Sequence, residues 1–218
     1  LYNWEKMKAT GFAWWIRRLS AAAKMYDVVR LDHFRGFESY WAVPAGDKTA
    51  AGGAWKQGPG MDYIKAIQSA LPDLEFIAED LGYVTPEVRQ LQEESGYPGM
   101  KVLQFAFDSR ESSDYLPHTY PVNSVCYTGT HDNLTMAQWF EEAAPEDIAL
   151  AKAYLGLNSE EGLIKGMIRG VMGSASRICM IQMQDYLELD GSARMNFPGT
   201  LSSSNWSWRA PKNFLTED

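Results

Sequence analysis

Apolar and polar positions come in blocks along this chain, and the blocks predict short buried strands separated by amphipathic helices. Between residues 4 and 24, Phe12, Trp15, Ile16, Leu19 and Ala23 recur at three- and four-residue intervals around Arg17 and Arg18, which predicts a single helix. It feeds an apolar strand over residues 26–32. A long loop over residues 36–60, rich in glycine near its middle, has the character of a lid or binding loop. Met61, Ile64, Ile67 and Leu71 then mark a helix stopped by Pro72, and a strand runs from there to Glu79. Thr85, Pro86 and Glu87 supply an N-cap, a proline in the first turn and an acid at the positive end of the helix dipole; this helix stops at Gly96. Strands are predicted over residues 100–107, 124–128 and 177–185, with three helices over residues 134–142, 145–155 and 160–174. His118, in the loop over residues 115–121, reads as a solvated or packed residue and not as a catalyst. The tail is polar, aromatic and rich in turns.

Five strands alternating with helices predict an α/β fold, and the ends of three strands change what that fold is for. The apolar run Val28, Val29, Leu31 carries Arg30 and closes on Asp32, His33 and Arg35. The run over residues 74–78 closes on Glu79 and Asp80, and the run over residues 124–128 leads to His131 and Asp132. Charge at this density is costly to bury unless it pairs or serves a substrate. Strands that each finish in an acid, joined by helices, suggest a βα-repeated sheet whose carboxyl ends meet at one site. Five strands are too few for a closed eight-stranded barrel and suit its second half.

Composition narrows the field. With 45% hydrophobic and 22% charged residues over 218 positions, the chain has the means to bury a core. Its net charge of -8, with acids and bases interspersed and no basic patch, argues against nucleic acid as a partner. No polybasic amphipathic helix or long apolar span points to a membrane. Cys126 and Cys179 lie inside apolar runs and are expected as free thiols in a reducing, cytoplasmic compartment. Eight tryptophans, several in otherwise polar loops, suit a sugar-binding cleft as well as core packing.

Asp32 and Glu79, at the ends of different strands with further acids nearby, suit glycoside chemistry. One carboxylate attacks the anomeric carbon and the other protonates the departing oxygen. Retention of configuration needs the pair roughly 5–5.5 Å apart. Arg30, two residues before Asp32 and so on the same face, would keep that carboxylate ionised, whereas Glu79 must hold a proton.

Three stretches, Arg30-Leu-Asp32-His-Phe-Arg-Gly36, Ala78-Glu79-Asp-Leu-Gly82 and Gly129-Thr-His131-Asp132-Asn133, together resemble the amylomaltase or disproportionating-enzyme family, the 4-α-glucanotransferases allied to the α-amylases. Residues 98–107, Met195-Asn-Phe-Pro-Gly199 and Asn205-Trp-Ser-Trp-Arg209 extend the likeness over nearly the whole chain. The resemblance implies part of a (β/α)8 TIM barrel, about strands four to eight with their helices, as one catalytic-domain piece over residues 1–218 that lacks the first barrel strands. It implies Asp32 as nucleophile, Glu79 as general acid/base and Asp132 as transition-state stabiliser. Arg30, His33 and His131 would bind the same sugar ring, and Gln184, Asp185 and Asn196 would line or support the site. Maltooligosaccharides, glucose and α-1,4-glucans are the implied partners, and neither a metal nor an organic cofactor is required.

Two other outcomes use the same residues: an α-1,4-glucan hydrolase, in which water resolves the intermediate, and an inactive glucan-binding fragment. A metal-dependent hydrolase with Asp32, His33, Glu79, His131 and Asp132 as ligands is disfavoured by Arg30 and Arg35 and by the lack of His-X-His or HExxH spacing.

Overall fold

The computed structural model describes residues 1–82, 84–110, 113–212 and 214. The chain divides into two compact units, Leu1–Met100 and from Lys101 onward.

The first unit opens with two helices in place of the single predicted one: α1 (Trp4–Ala9) and α2 (Ala13–Ala22). Asn3 caps α1 by accepting a hydrogen bond from the Lys6 N–H. The break falls at Gly11 and Phe12, both left-handed with φ near 58° and 57°, and Phe12 pays that backbone cost while its ring enters the core, 3% exposed. Strand β1 (Val28–Leu31) leads to a short 3₁₀ helix, Phe34–Phe37. The predicted open loop holds a hairpin: β2 (Ser39–Ala42) pairs antiparallel with β3 (Ala54–Gln57), Trp41 opposite Trp55. Helix α3 (Gly60–Ala70), strand β4 (Glu75–Ala78) and helix α4 (Pro86–Ser95) follow as expected. Strand β4 runs parallel to β1, with Val28 opposite Glu75 and Leu31 opposite Ala78. Phe12, Phe34, Phe37, Tyr63, Ile64 and Ile67 belong to the core of this unit, where the Phe37 and Tyr63 rings stack at 4.7 Å.

Strand β5 (Gly99–Val102) carries the chain from one unit to the next, shorter than predicted because residues 103–106 wind into a 3₁₀ turn. It is first in the three-stranded sheet order β5-β6-β7, where β6 (Ser124–Tyr127) and β7 (Ile178–Met180) are parallel. Between β6 and β7 lie α5 (Met136–Glu142), α6 (Pro145–Leu155) and α7 (Leu163–Met172). Strand β7 stops at Met180, and the residues predicted to finish it, Gln184 and Asp185, sit on the short helix α8 (Met183–Tyr186). Leu103, Phe107, Met136, Met167 and Val171 are buried in the core of the second unit.

Both cysteines are free, Cys126 buried and Cys179 half-buried, and they are register partners across β6 and β7. A hydrogen bond from Cys179 pulls the Cys126 thiol below the usual range. The same contact, together with burial, pushes Cys179 up. Among the described residues no helix is long and apolar enough to cross a membrane.

Candidate active site

In the first unit the register of β1 against β4 continues one residue beyond the strands. The Glu79 N–H donates to the Leu31 carbonyl at 3.0 Å, and the Phe34 N–H donates to the Glu79 carbonyl at 3.0 Å. Asp32 and Glu79 therefore leave the same end of adjacent parallel strands, whose spacing is about 4.8 Å. Arg30 lies on the face of Asp32, as the period of two requires, and its Nη1 donates to Asp32 Oδ1 at 2.7 Å; Arg30 Nε lies 3.3 Å from Met100 Sδ. The Asp32 side chain is 77% exposed, free to meet a ligand. It belongs to the wall of a cavity of about 710 Å³, with Trp4, Trp15, Arg30, His33 and Tyr40.

Glu79 is held by backbone donors. The His33 N–H reaches Oε2 at 2.6 Å and the Leu81 N–H reaches Oε1 at 3.1 Å, which fixes the position of both carboxyl oxygens. His33 takes a left-handed conformation, φ 48° and ψ 53°, unfavourable for a side chain with a Cβ. That turn aims its N–H at Glu79. Gly36 makes room for it, because a Cβ there would come within 3.0 Å of the His33 ring. Asp80, the neighbouring acid, braces the backbone. Its Oδ1 accepts from the Met100 N–H at 2.7 Å, and a Cβ on Gly99 would collide with its carboxylate.

In the second unit, Asp132 and His131 follow β6. His131 Nε2 lies 3.4 Å from Asp132 Oδ2, and Asn196 donates from its side chain to Asp132 Oδ1 at 2.7 Å. The Asn196 N–H also donates to the His131 carbonyl at 3.1 Å. Gln184 and Asp185 stand apart from that cluster in burial, at 6% and 1% exposed. Asp185 accepts from the Thr128 hydroxyl at 2.5 Å and from the Met136 N–H at 2.8 Å, tying the end of β6 to the start of α5. Burial pushes its carboxyl above the usual range, opposed by those two hydrogen bonds. Gln184 donates to the Ala193 carbonyl at 3.2 Å. His118, which is exposed, bonds the Tyr154 hydroxyl through Nδ1 at 2.6 Å. Among the described residues no group of three His, Cys, Asp or Glu is arranged to hold a metal ion.

A family model described as 4-alpha-glucanotransferase matches residues 1–215. The chain belongs to the 4-alpha-glucanotransferase family. It is 47% identical over 219 residues to the 4-alpha-glucanotransferase of Clostridium butyricum, covering 100% of this chain and 45% of that protein. Against the chloroplastic/amyloplastic 4-alpha-glucanotransferase of Solanum tuberosum it is 45% identical over 213 residues, covering 98% of this chain and 37% of that one. Its structure is similar to that of the amylomaltase from Streptococcus agalactiae in complex with acarbose, with a TM-score of 0.94 and 38% identity, covering 100% of this chain and 44% of the other. The chain thus spans less than half the length of these relatives.

Within this glucanotransferase-family chain, Arg194 carries a role that no sequence pattern announces. Its Nη2 donates to the Asp132 carbonyl at 2.7 Å and its Nε to the Asn196 carbonyl at 2.9 Å, so it ties together the backbone of two candidate site residues. Nothing local marks it, since Arg194 and Asp132 are 62 positions apart in sequence.

Proposed function

We propose that this chain carries the catalytic carboxylates of a retaining 4-α-glucanotransferase. The observation that carries the reading is the emergence of Asp32 and Glu79 from the same end of adjacent parallel strands. A spacing set by neighbouring strands suits the shorter carboxyl separation of retaining enzymes, about 5–5.5 Å. In the first step the Asp32 carboxylate attacks the anomeric carbon, the glycosidic C–O bond breaks, and Glu79 gives its proton to the departing oxygen. In the second, Glu79 takes the proton of a sugar 4-hydroxyl, whose oxygen displaces Asp32 with net retention. Arg30 pairs with Asp32 and fixes the direction of its carboxyl group. Asp132, oriented by Asn196, stabilises the transition state through sugar hydroxyls, and His33 and His131 bind sugar; Gln184 and Asp185 brace the second unit at Ala193, Thr128 and Met136. The donors and acceptors in this reading are maltooligosaccharides, glucose and α-1,4-glucans.

Strands β1, β4, β5, β6 and β7 correspond in this reading to the fourth to eighth strands of a (β/α)8 barrel of the α-amylase type, with residues 1–218 as part of its catalytic domain. A reducing, cytoplasmic setting goes with two free cysteines. The test is product analysis after incubation with maltotriose. Longer maltooligosaccharides together with glucose are expected, and Asp32→Asn removes them. Glucose and maltose without longer products would replace transfer by hydrolysis, and an unchanged substrate would refute activity for this chain. Acarbose, the ligand of the Streptococcus agalactiae amylomaltase structure, is expected to suppress the transfer.

A further inference from the structure

The tail segment after Arg194 folds back onto the His131–Asp132 pair, and at its far end lies Trp206. This residue is left-handed at φ 62°, a conformation that residues with a Cβ avoid and that persists only where its surroundings impose it. Its N–H donates to the Met195 carbonyl at 2.7 Å, next to Asn196, which itself holds the His131 backbone and the Asp132 side chain. The indole does not gain the burial that usually compensates such a backbone, since Trp206 is 55% exposed. What the ring does contact is His131, with centroids 4.9 Å apart and planes tilted by 40°. The His131 imidazole therefore has Asp132 at its Nε2 and the indole beside its ring.

We propose that Trp206 is a positioning residue that fixes the His131 imidazole beside Asp132, the strained turn serving to bring the indole there. The proposal rests on the reading of His131 and Asp132 as part of a glucan site. It explains why a large aromatic stands at a backbone position that glycine would occupy without strain, and why the polar-aromatic run Asn205-Trp-Ser-Trp-Arg209 belongs with the His131–Asp132 pair. A ring left free to rotate would spread the imidazole over several orientations, and misplacement on that scale slows chemistry without weakening ground-state binding.

The chain has three histidines, so histidine ring NMR resolves them, with His131→Gln identifying the signal. In Trp206→Gly the His131 signal is expected to move and broaden while that of His118 stays, and the thermal midpoint is expected to hold because the backbone strain is relieved. Trp206→Phe should keep the His131 signal near its original position and width. With maltotriose, kcat of Trp206→Gly should fall by about 10- to 100-fold at nearly constant KM, with most of it recovered in Trp206→Phe. An unchanged His131 signal in Trp206→Gly would overturn the proposal, as would a rise in KM alone, which would make the indole a sugar contact. Equal midpoint losses in both variants with no change in kcat would leave a packing role only and also overturn it. If the wild-type protein transfers no glucan, the functional reading has failed, and the histidine signal alone decides this proposal.

Discussion

Asp185 shows how a residue near a site serves it without touching a ligand. Its two carboxylate oxygens satisfy the buried Thr128 hydroxyl and the Met136 N–H. Asp185→Ala strips both partners and should lower stability by about 1–3 kcal/mol below pH 4, where the wild-type contribution is full, and by less as pH rises, read by urea denaturation. Asp185→Asn can still accept from Met136 and donate to Thr128, so its fold should survive. The two variants separate further with pH. Burial raises the Asp185 carboxyl above its ordinary value, so the folded state holds that proton more tightly than the unfolded chain. The resulting stability is full below about pH 4 and is lost as pH rises through the folded value. Asp185→Asn lacks that loss, and its stability should improve relative to wild type between pH 4 and neutrality. At this scale the sequence is legible where charge interrupts an apolar run, as at Arg30, Asp32 and Glu79. It is mute about Arg194 and Trp206, whose meaning appears only once distant segments close on each other.

Helix α4 carries its own start and stop signals. Thr85 accepts from the Val88 N–H at 3.4 Å, Pro86 opens the first turn, and Gly96 ends the helix in the left-handed region at φ 71°. Thr85→Ala should lower stability by about 1 kcal/mol, read as a shift in the thermal midpoint. Such local punctuation is why α3, α4 and α6 lie close to where their sequences predict them. The β2–β3 hairpin was illegible for the opposite reason. Every residue of β3 is exposed, so no face is apolar and no alternation with period two appears. The hairpin is held by other means, with the Trp41 and Trp55 rings edge to face at 5.5 Å and the Trp41 indole N–H on the Ala50 carbonyl at 2.9 Å. Strand β7 failed differently, because the apolar run over residues 177–183 has no period to distinguish strand from helix, and Met, Gln and their neighbours take the helical turn at α8.

Each unit of the molecule has its own core of mixed aliphatic and aromatic side chains, the first richer in rings. Ile67 and Met167 are fully buried in the first and second respectively. Truncation of either to alanine should cost about 2–5 kcal/mol, seen as a lowered urea midpoint. The two cores are built by residues that the helical periodicity already marks, Ile64 and Ile67 on α3 among them. The order of strands within each sheet was not readable, because a buried apolar run carries no label for its neighbour.

That missing label can be supplied chemically. Cys126 and Cys179 are distant in sequence and directly opposite in β6 and β7, so their two sulfurs act as a gauge of strand alignment. Phenylarsine oxide, which needs two thiols within reach of one arsenic atom, should be captured one to one by the chain as it refolds, before Cys126 is buried, and not by Cys179→Ser. A slip of one residue would turn one thiol to the other side of the sheet and abolish capture. The thiol pair thereby turns the pairing register of the second unit into something that can be timed as the chain folds.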